Sequence, residues 1–247
     1  MKAFIGYFDL LGFKEFVQKN DHETQSRGMY NLFRDIGNAA ANRKVKKLPN
    51  GGFVPDLTDS EVRVLNFSDT VIFWTNEDSF KALSEILSVV FFFNYTSTIH
   101  FFPARGTLIH GEIEHVHYNQ ENENGGAYFL NSVFGTGIVE AYQKSELAEW
   151  SGATIDSSVI DRIRFFEKKE AKVLSNYAKL YHVPYKNDKS KNEFAFKLIQ
   201  EPINKETYLN LEESIRHNFK NYNKTVDAEA VQRKLRNTLE FLKSSIK

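Results

Sequence analysis

The feature that most constrains this chain is an apolar run that stops at one carboxylate: Phe4-Ile5-Gly6-Tyr7-Phe8 leads into Asp9, and Leu10-Leu11-Gly12-Phe13 follows. The run reads as a buried strand over Ala3 to Phe8. The helical spacing of Leu11, Phe13, Phe16 and Val17 predicts a helix over Leu11 to Lys19. A second segment repeats the theme. Val62 to Phe67 and Thr70 to Thr75 are rich in β-branched and aromatic residues, and Ser68-Asp69 between them suits a hairpin turn. Each Asp is the lone acid of its apolar neighbourhood, and strand ends are where a sheet presents side chains to ligands. Taken singly, Asp69 also reads as a turn residue and Asp9 as a helix cap. Taken together, two carboxylates at neighbouring strand ends suggest a shared cation.

The rest of the chain alternates in the same way. Met29, Leu32, Phe33 and Ile36 mark an amphipathic helix within His22 to Asn42, and Arg43 to Asp59, with Pro49-Asn50-Gly51-Gly52 and Pro55, reads as loop. Ser79 to Ile99 is a helix with a strongly apolar face, and Ala104 to Glu114 a strand whose Gly106 and Gly111 suggest close backbone approach. A polar loop over Asn119 to Gly126, a helix over Asn131 to Trp150 and a short strand at Thr154 to Asp156 follow. Tyr181 to Tyr185 and Phe194 to Ile199 then read as strands, and Lys205 to Asn221 and Ala228 to Ile246 as charged amphipathic helices. This order predicts an α+β fold, an antiparallel-rich sheet with helices packed on it.

With 247 residues, 41% of them hydrophobic, the chain can build its own core. Lys plus Arg and Asp plus Glu balance at 32 each, so no global field favours nucleic acid or an anionic membrane. There is no cysteine, which excludes disulfides and thiolate metal sites. Asp9 and Lys14 interrupt the first apolar stretch too early for a leader peptide. The most apolar window, Ile86 to Phe93, is far shorter than the ~20 residues of a membrane span. The chain therefore reads as soluble and cytoplasmic.

Oxygen ligands without cysteine or a tight histidine cluster favour Mg²⁺ or Mn²⁺, ions that usually serve phosphates. Backbone N–H groups at Leu11, Gly12 and Phe13, with Lys14 beside them, read as an anion site, and Arg105 adds a fixed positive charge. His115 and His117 share a strand face and read as solvated.

In order along the chain, Phe8-Asp9-Leu10-Leu11-Gly12-Phe13, Phe67-Ser68-Asp69, Arg105-Gly106 with Gly111, and Phe134-Gly135-Thr136-Gly137-Ile138-Val139-Glu140-Ala141-Tyr142 resemble the class III nucleotidyl cyclases, over roughly residues 3 to 156. Within that superfamily the short domain looks most like the bacterial pyrimidine cyclases of Pycsar antiphage defence. The resemblance implies a ferredoxin-like, palm-like sheet and a catalytic core over 1–156, with 157–247 completing or bracing it. It implies two Mn²⁺ or Mg²⁺ ions held by Asp9, Asp69 and the Leu10 carbonyl. It also implies a head-to-tail homodimer with the site at the interface, and conversion of UTP or CTP to the 3′,5′-cyclic nucleotide and pyrophosphate. Where purine cyclases read the base with Lys and Asp, this sequence has Leu65 and Ser132. Where they bind ribose with Asn and stabilise the transition state with Arg, it has Val139 and Gln143, so the resemblance leaves Arg105 or Lys144 to supply the missing charge.

Overall fold

The computed structural model describes residues 1–246 apart from 188 and 201. The chain begins with β1 (Lys2–Leu10), α1 (Phe13–Lys19) and α2 (His22–Ala40). A small hairpin of β2 (Val45–Lys47) and β3 (Phe53–Pro55) precedes β4 (Val62–Phe67) and β5 (Thr70–Thr75). Then come α3 (Phe80–His100), β6 (Ala104–Glu112), β7 (Glu114–Glu121), β8 (Ala127–Phe134), α4 (Thr136–Leu147) and β9 (Gly152–Ile155). The remainder is α5 (Ser157–Phe165), α6 (Glu170–Leu174), β10 (Ala178–Pro184), β11 (Ser190–Phe196), α7 (Lys205–Lys220) and α8 (Glu229–Lys243).

Seven strands form one sheet in the order β10-β11-β9-β6-β1-β5-β4, and only the β6–β9 pair is parallel. Its centre, β6-β1-β5-β4, is the split β-α-β arrangement of a ferredoxin-like sheet: α1 and α2 link β1 to β4, and α3 links β5 to β6. The expected α+β class with an antiparallel-rich sheet is thus the observed one. β10 and β11 extend the sheet beyond β9, and β7 pairs with β8 as a separate ribbon.

The period of two along β1 sorts its residues between two cores. Phe4, Phe8 and Leu10 face a cluster with Phe73 of β5 and Val90 and Phe93 of α3, where the Phe8 ring meets Phe93 edge-on at 4.8 Å. Ala3, Ile5 and Tyr7 face the other way, against Ile72, Trp74, Ile109 and Ala141 of α4. Helix α4 lies so close to β6 that a Cβ on Gly111 would stand 2.7 Å from the Gly137 Cα, so these two glycines serve helix-to-strand contact. A third cluster joins α7 and α8 to Trp150, which packs edge-on against Phe241 at 4.7 Å.

Several expectations are corrected. Arg43 to Asp59 carries the β2–β3 hairpin rather than plain loop, with three-residue strands too short to show a period. The strand β7 reaches Glu121, leaving only 122–126 as its turn, and Asn131 to Phe134 belong to β8, so α4 starts at Thr136 and not at Asn131. Its cross-strand partners in β7, not local propensity, hold that segment extended. Helices α5 and α6 had no sequence counterpart. Finally, α3 runs 21 residues and is long and apolar enough to cross a membrane, against the expectation that no such segment exists; two thirds of its most apolar window is buried inside the fold, which marks it as the core helix.

Candidate active site

Asp9 lies at the carboxyl end of β1, on the same face as Tyr7, and is paired with Thr70 of β5 on one side and Arg105 of β6 on the other. That register lays the Asp9 and Arg105 side chains next to each other. Arg105 Nε donates to Asp9 Oδ2 at 2.8 Å, Nη1 donates to the Glu146 carbonyl at 3.1 Å, and Nη2 pairs with the Glu146 carboxylate. Arg105 is 8% exposed, so its guanidinium is clamped between two acids at the base of the site.

Asp69 closes the β4–β5 hairpin. Its carbonyl accepts from Leu10 N–H at 2.8 Å, and Ser68 before it turns the chain at φ 55°. This backbone bond ties the hairpin tip to the end of β1, which is how two Asp residues far apart in sequence come to line one cleft of about 480 Å³. The Asp69 side chain accepts no hydrogen bond from any described residue. Burial pushes the Asp9 carboxyl above its ordinary value, Arg105 pulls it down, and the negative charge of Asp69 pushes it up again. A carboxylate whose ionisation is made costlier by its neighbour and which keeps one oxygen to spare, beside a second carboxylate that accepts no hydrogen bond from a described residue, suits a hard divalent cation. Among the described residues no three His, Asp or Glu side chains converge as a ready ligand set, so a cation here would take its remaining ligands from backbone, substrate or water.

The same cleft is lined by Leu10, Leu11, Gly12, Phe13, Lys14 and Arg105, so the sequence-predicted site residues meet in one place. One detail differs from expectation. Leu11 N–H is not free but donates to the Pro103 carbonyl at 2.8 Å, while the Gly12 and Phe13 N–H groups at the start of α1 find no partner among the described residues. Gly12 sits at φ 79°, a left-handed turn that a side chain would strain. Lys144 lies outside this cleft: its Nζ bonds Asp156 at 2.8 Å and Glu193 at 3.1 Å. His115 bonds Arg63 at 3.1 Å and Asn131 at 2.7 Å on the β7–β8 ribbon.

One whole wall of the cleft has no counterpart among the sequence-predicted site residues. Glu146 comes from the last turn of α4, and Phe219, Lys224, Thr225, Val231 and Lys234 come from α7, α8 and their connection. No motif or spacing marks these residues; the packing of α4 against β6 and β1, of α7 against α3 and of α8 against α7 brings them there.

No family model matches the sequence, and no curated protein matches it. Solved structures of similar fold include three cyclase-related proteins. The guanylate cyclase domain of RhGC from Catenaria anguillulae in complex with GTP is 10% identical, with 79% of this chain and 96% of that one covered and a TM-score of 0.49. A dimeric guanylyl cyclase domain of the RhoGC fusion protein from the aquatic fungus Blastocladiella emersonii is also 10% identical, with coverages of 78% and 93% and a TM-score of 0.46. A class III adenylyl cyclase-like ATP-binding protein from Pseudomonas aeruginosa is 12% identical, with coverages of 69% and 35% and a TM-score of 0.39. Likenesses this distant say nothing of chemistry, and what the cleft can do follows from its own residues.

Proposed function

We propose that this chain is a divalent-metal-dependent nucleotidyl cyclase acting on a pyrimidine nucleoside triphosphate, UTP ahead of CTP. The observation that carries the reading is the convergence of Asp9 and Asp69 on one cleft beside the Gly12 turn and the clamped Arg105. Asp9 and Asp69, with the Leu10 carbonyl, would hold two Mg²⁺ or Mn²⁺ ions. Such ions, when bound, lower the pKa of an attacking hydroxyl and neutralise phosphate charge. In the reaction the ribose 3′ oxygen bonds to the α-phosphorus, the bond from that phosphorus to the bridging oxygen of the β-phosphate breaks, pyrophosphate departs with the electron pair, and the hydroxyl proton passes to solvent.

The chain's own residues orient and select. Arg105 fixes one oxygen of Asp9 and turns the other toward the cleft, so it acts first as a positioning residue. Lys14 and the Gly12 and Phe13 N–H groups line the side where the phosphates would lie. The pyrimidine assignment is supported by Leu65 and Ser132, which give no charged group to the edge of a purine. The homodimer is supported by exposed Val139, Tyr142 and Leu147 on α4 and by exposed Phe134 at its approach, large apolar side chains interspersed with Glu140 and Gln143. In a bacterium the cyclic product would act as a second messenger of antiphage defence.

Incubation with Mn²⁺ and each of the four nucleoside triphosphates, followed by separation of products, tests the reading. Cyclic UMP or cyclic CMP is expected as the main product. Asp9→Asn and Asp69→Asn should each lower turnover roughly 100-fold or more while the fold is retained. Absence of cyclic product from all four triphosphates refutes the assignment and favours a second reading, a catalytically silent nucleotide-binding module. The engagement of Arg105 by both Asp9 and Glu146 supports that second reading, because a cation must then compete with a guanidinium for Asp9.

A further inference from the structure

Arg105 is neutralised by Asp9 and Glu146, so it leaves little positive charge for a polyanion. The opposite wall supplies some. Lys224 is 8% exposed, and its Nζ donates to the Asn218 carbonyl at 2.7 Å and lies 5.0 Å from the centre of the Phe102 ring. Among the described residues no carboxylate comes within ion-pair distance of it. Lys234 has only a 3.4 Å contact with Glu149, a carboxylate that also accepts from Arg233 at 2.5 Å. Two lysines thus line the cleft with less than one carboxylate between them. A buried cation without an anion is costly to the fold, and an anionic ligand removes that cost.

These lysines are held in place. The segment between α7 and α8 is strapped to α1: Thr225 N–H donates to Glu15 at 2.6 Å, Lys19 bonds the Thr225 hydroxyl at 2.5 Å, and Asn20 donates to the Tyr222 carbonyl at 2.7 Å. Tyr222 and Asn223 both take left-handed backbone, at φ 61° and 58°, and Tyr222 stacks on Phe102 with ring centres 5.7 Å apart. The Lys224 stem passes so near Gly12 that a Cβ there would stand 2.7 Å from Lys224 Cδ. Lys224 therefore lies directly over the turn that follows the metal-side Asp.

We infer that Lys224 and Lys234 are the cations that grip the β- and γ-phosphates of the substrate and then the departing pyrophosphate, which makes the α7–α8 unit part of the substrate site. This rests on the nucleoside triphosphate reading above. It assigns the carboxyl-terminal helices a task beyond bracing the sheet. With Arg105 spent on Asp9, these lysines and Lys14 carry the cleft's available positive charge.

The test uses the full chain with inorganic tripolyphosphate and Mn²⁺ as the probe, followed by calorimetry. Lys224→Met keeps the aliphatic stem over Gly12 and Phe102, and Lys234→Met does the same on α8. Each variant should weaken tripolyphosphate binding about 10- to 100-fold, the worth of a charge-assisted hydrogen bond. Mn²⁺ binding without tripolyphosphate should stay within about twofold, a split that a merely structural role would not produce. Affinities unchanged in both variants, or a wild-type protein that does not bind tripolyphosphate, overturn the inference. If a variant fails to fold, amide hydrogen exchange of the wild-type segment 219–234 decides: the probe should slow it, and unchanged exchange overturns the inference. Lysine-dependent tripolyphosphate binding together with no cyclic product from any triphosphate would retain the phosphate grip and discard the cyclase reading.

Discussion

Replacing Lys224 with Met should make the protein more stable at neutral pH, and the gain should shrink as the pH rises. Burial lowers the Lys224 ammonium from 10.5 to about 7, with Glu15 opposing the shift only in part. Between those two values the unfolded chain holds a proton at this site that the folded chain has released, so stability contributed by the site rises with pH. The slope is about 1.4 kcal/mol per pH unit. From pH 7 to pH 9 it adds up to about 3 kcal/mol, a large share of the ~5–15 kcal/mol that holds a domain together. Against this, Met forfeits the hydrogen bond to Asn218, worth about 1 kcal/mol. Urea unfolding of both proteins at pH 7, 8 and 9 measures the effect, and taking the difference cancels the buried tyrosines Tyr7, Tyr181 and Tyr185, whose raised values act near the alkaline end. The variant should be the more stable at pH 7, and its advantage should shrink by about 2–3 kcal/mol by pH 9. A difference that stays constant across the three pH values would refute the account of Lys224 as a cation buried without an anion.

Two further outcomes are expected. Gly12→Ala puts a Cβ at φ 79° and 2.7 Å from the Lys224 stem, so it should cost about 1–2 kcal/mol in urea unfolding and weaken tripolyphosphate binding with it; equal stability would show that the strap yields freely. Val139→Glu places a charge among the exposed apolar side chains of α4 and should convert a dimer to monomers in sedimentation without lowering thermal stability, since Val139 is solvent-facing within one chain. A monomeric wild-type protein would remove the dimer from the proposal.

The β4–β5 hairpin shows how far local chemistry reaches. Its strands fall at Val62–Phe67 and Thr70–Thr75, as the β-branched runs and the Ser68-Asp69 turn predict, because turn chemistry and period two are properties of the local sequence. The same holds for α2, whose start is written as Asp21 accepting from Thr24 N–H at 2.8 Å, and for α3, capped by Ser79. By contrast Asn131 to Phe134 read as the start of a helix and are held as a strand by pairing with Glu114 to His117. The energy that decides that choice comes from a partner strand and not from the local sequence alone.

The candidate site divides along the same line. Asp9, Gly12 and Asp69 were legible because each marks an interruption in an apolar run or a turn, events a sequence records directly. That Asp9 lies beside Arg105, that Leu11 N–H is taken by Pro103, and that Lys224 and Lys234 close the far wall are consequences of strand register and of α7 and α8 packing back onto the sheet. Local sequence is enough to set where the carboxylates stand along their strands and which backbone can turn beside them. Which charges face those carboxylates is settled by long-range packing, because it brings together residues whose separation along the chain carries no periodic or compositional trace.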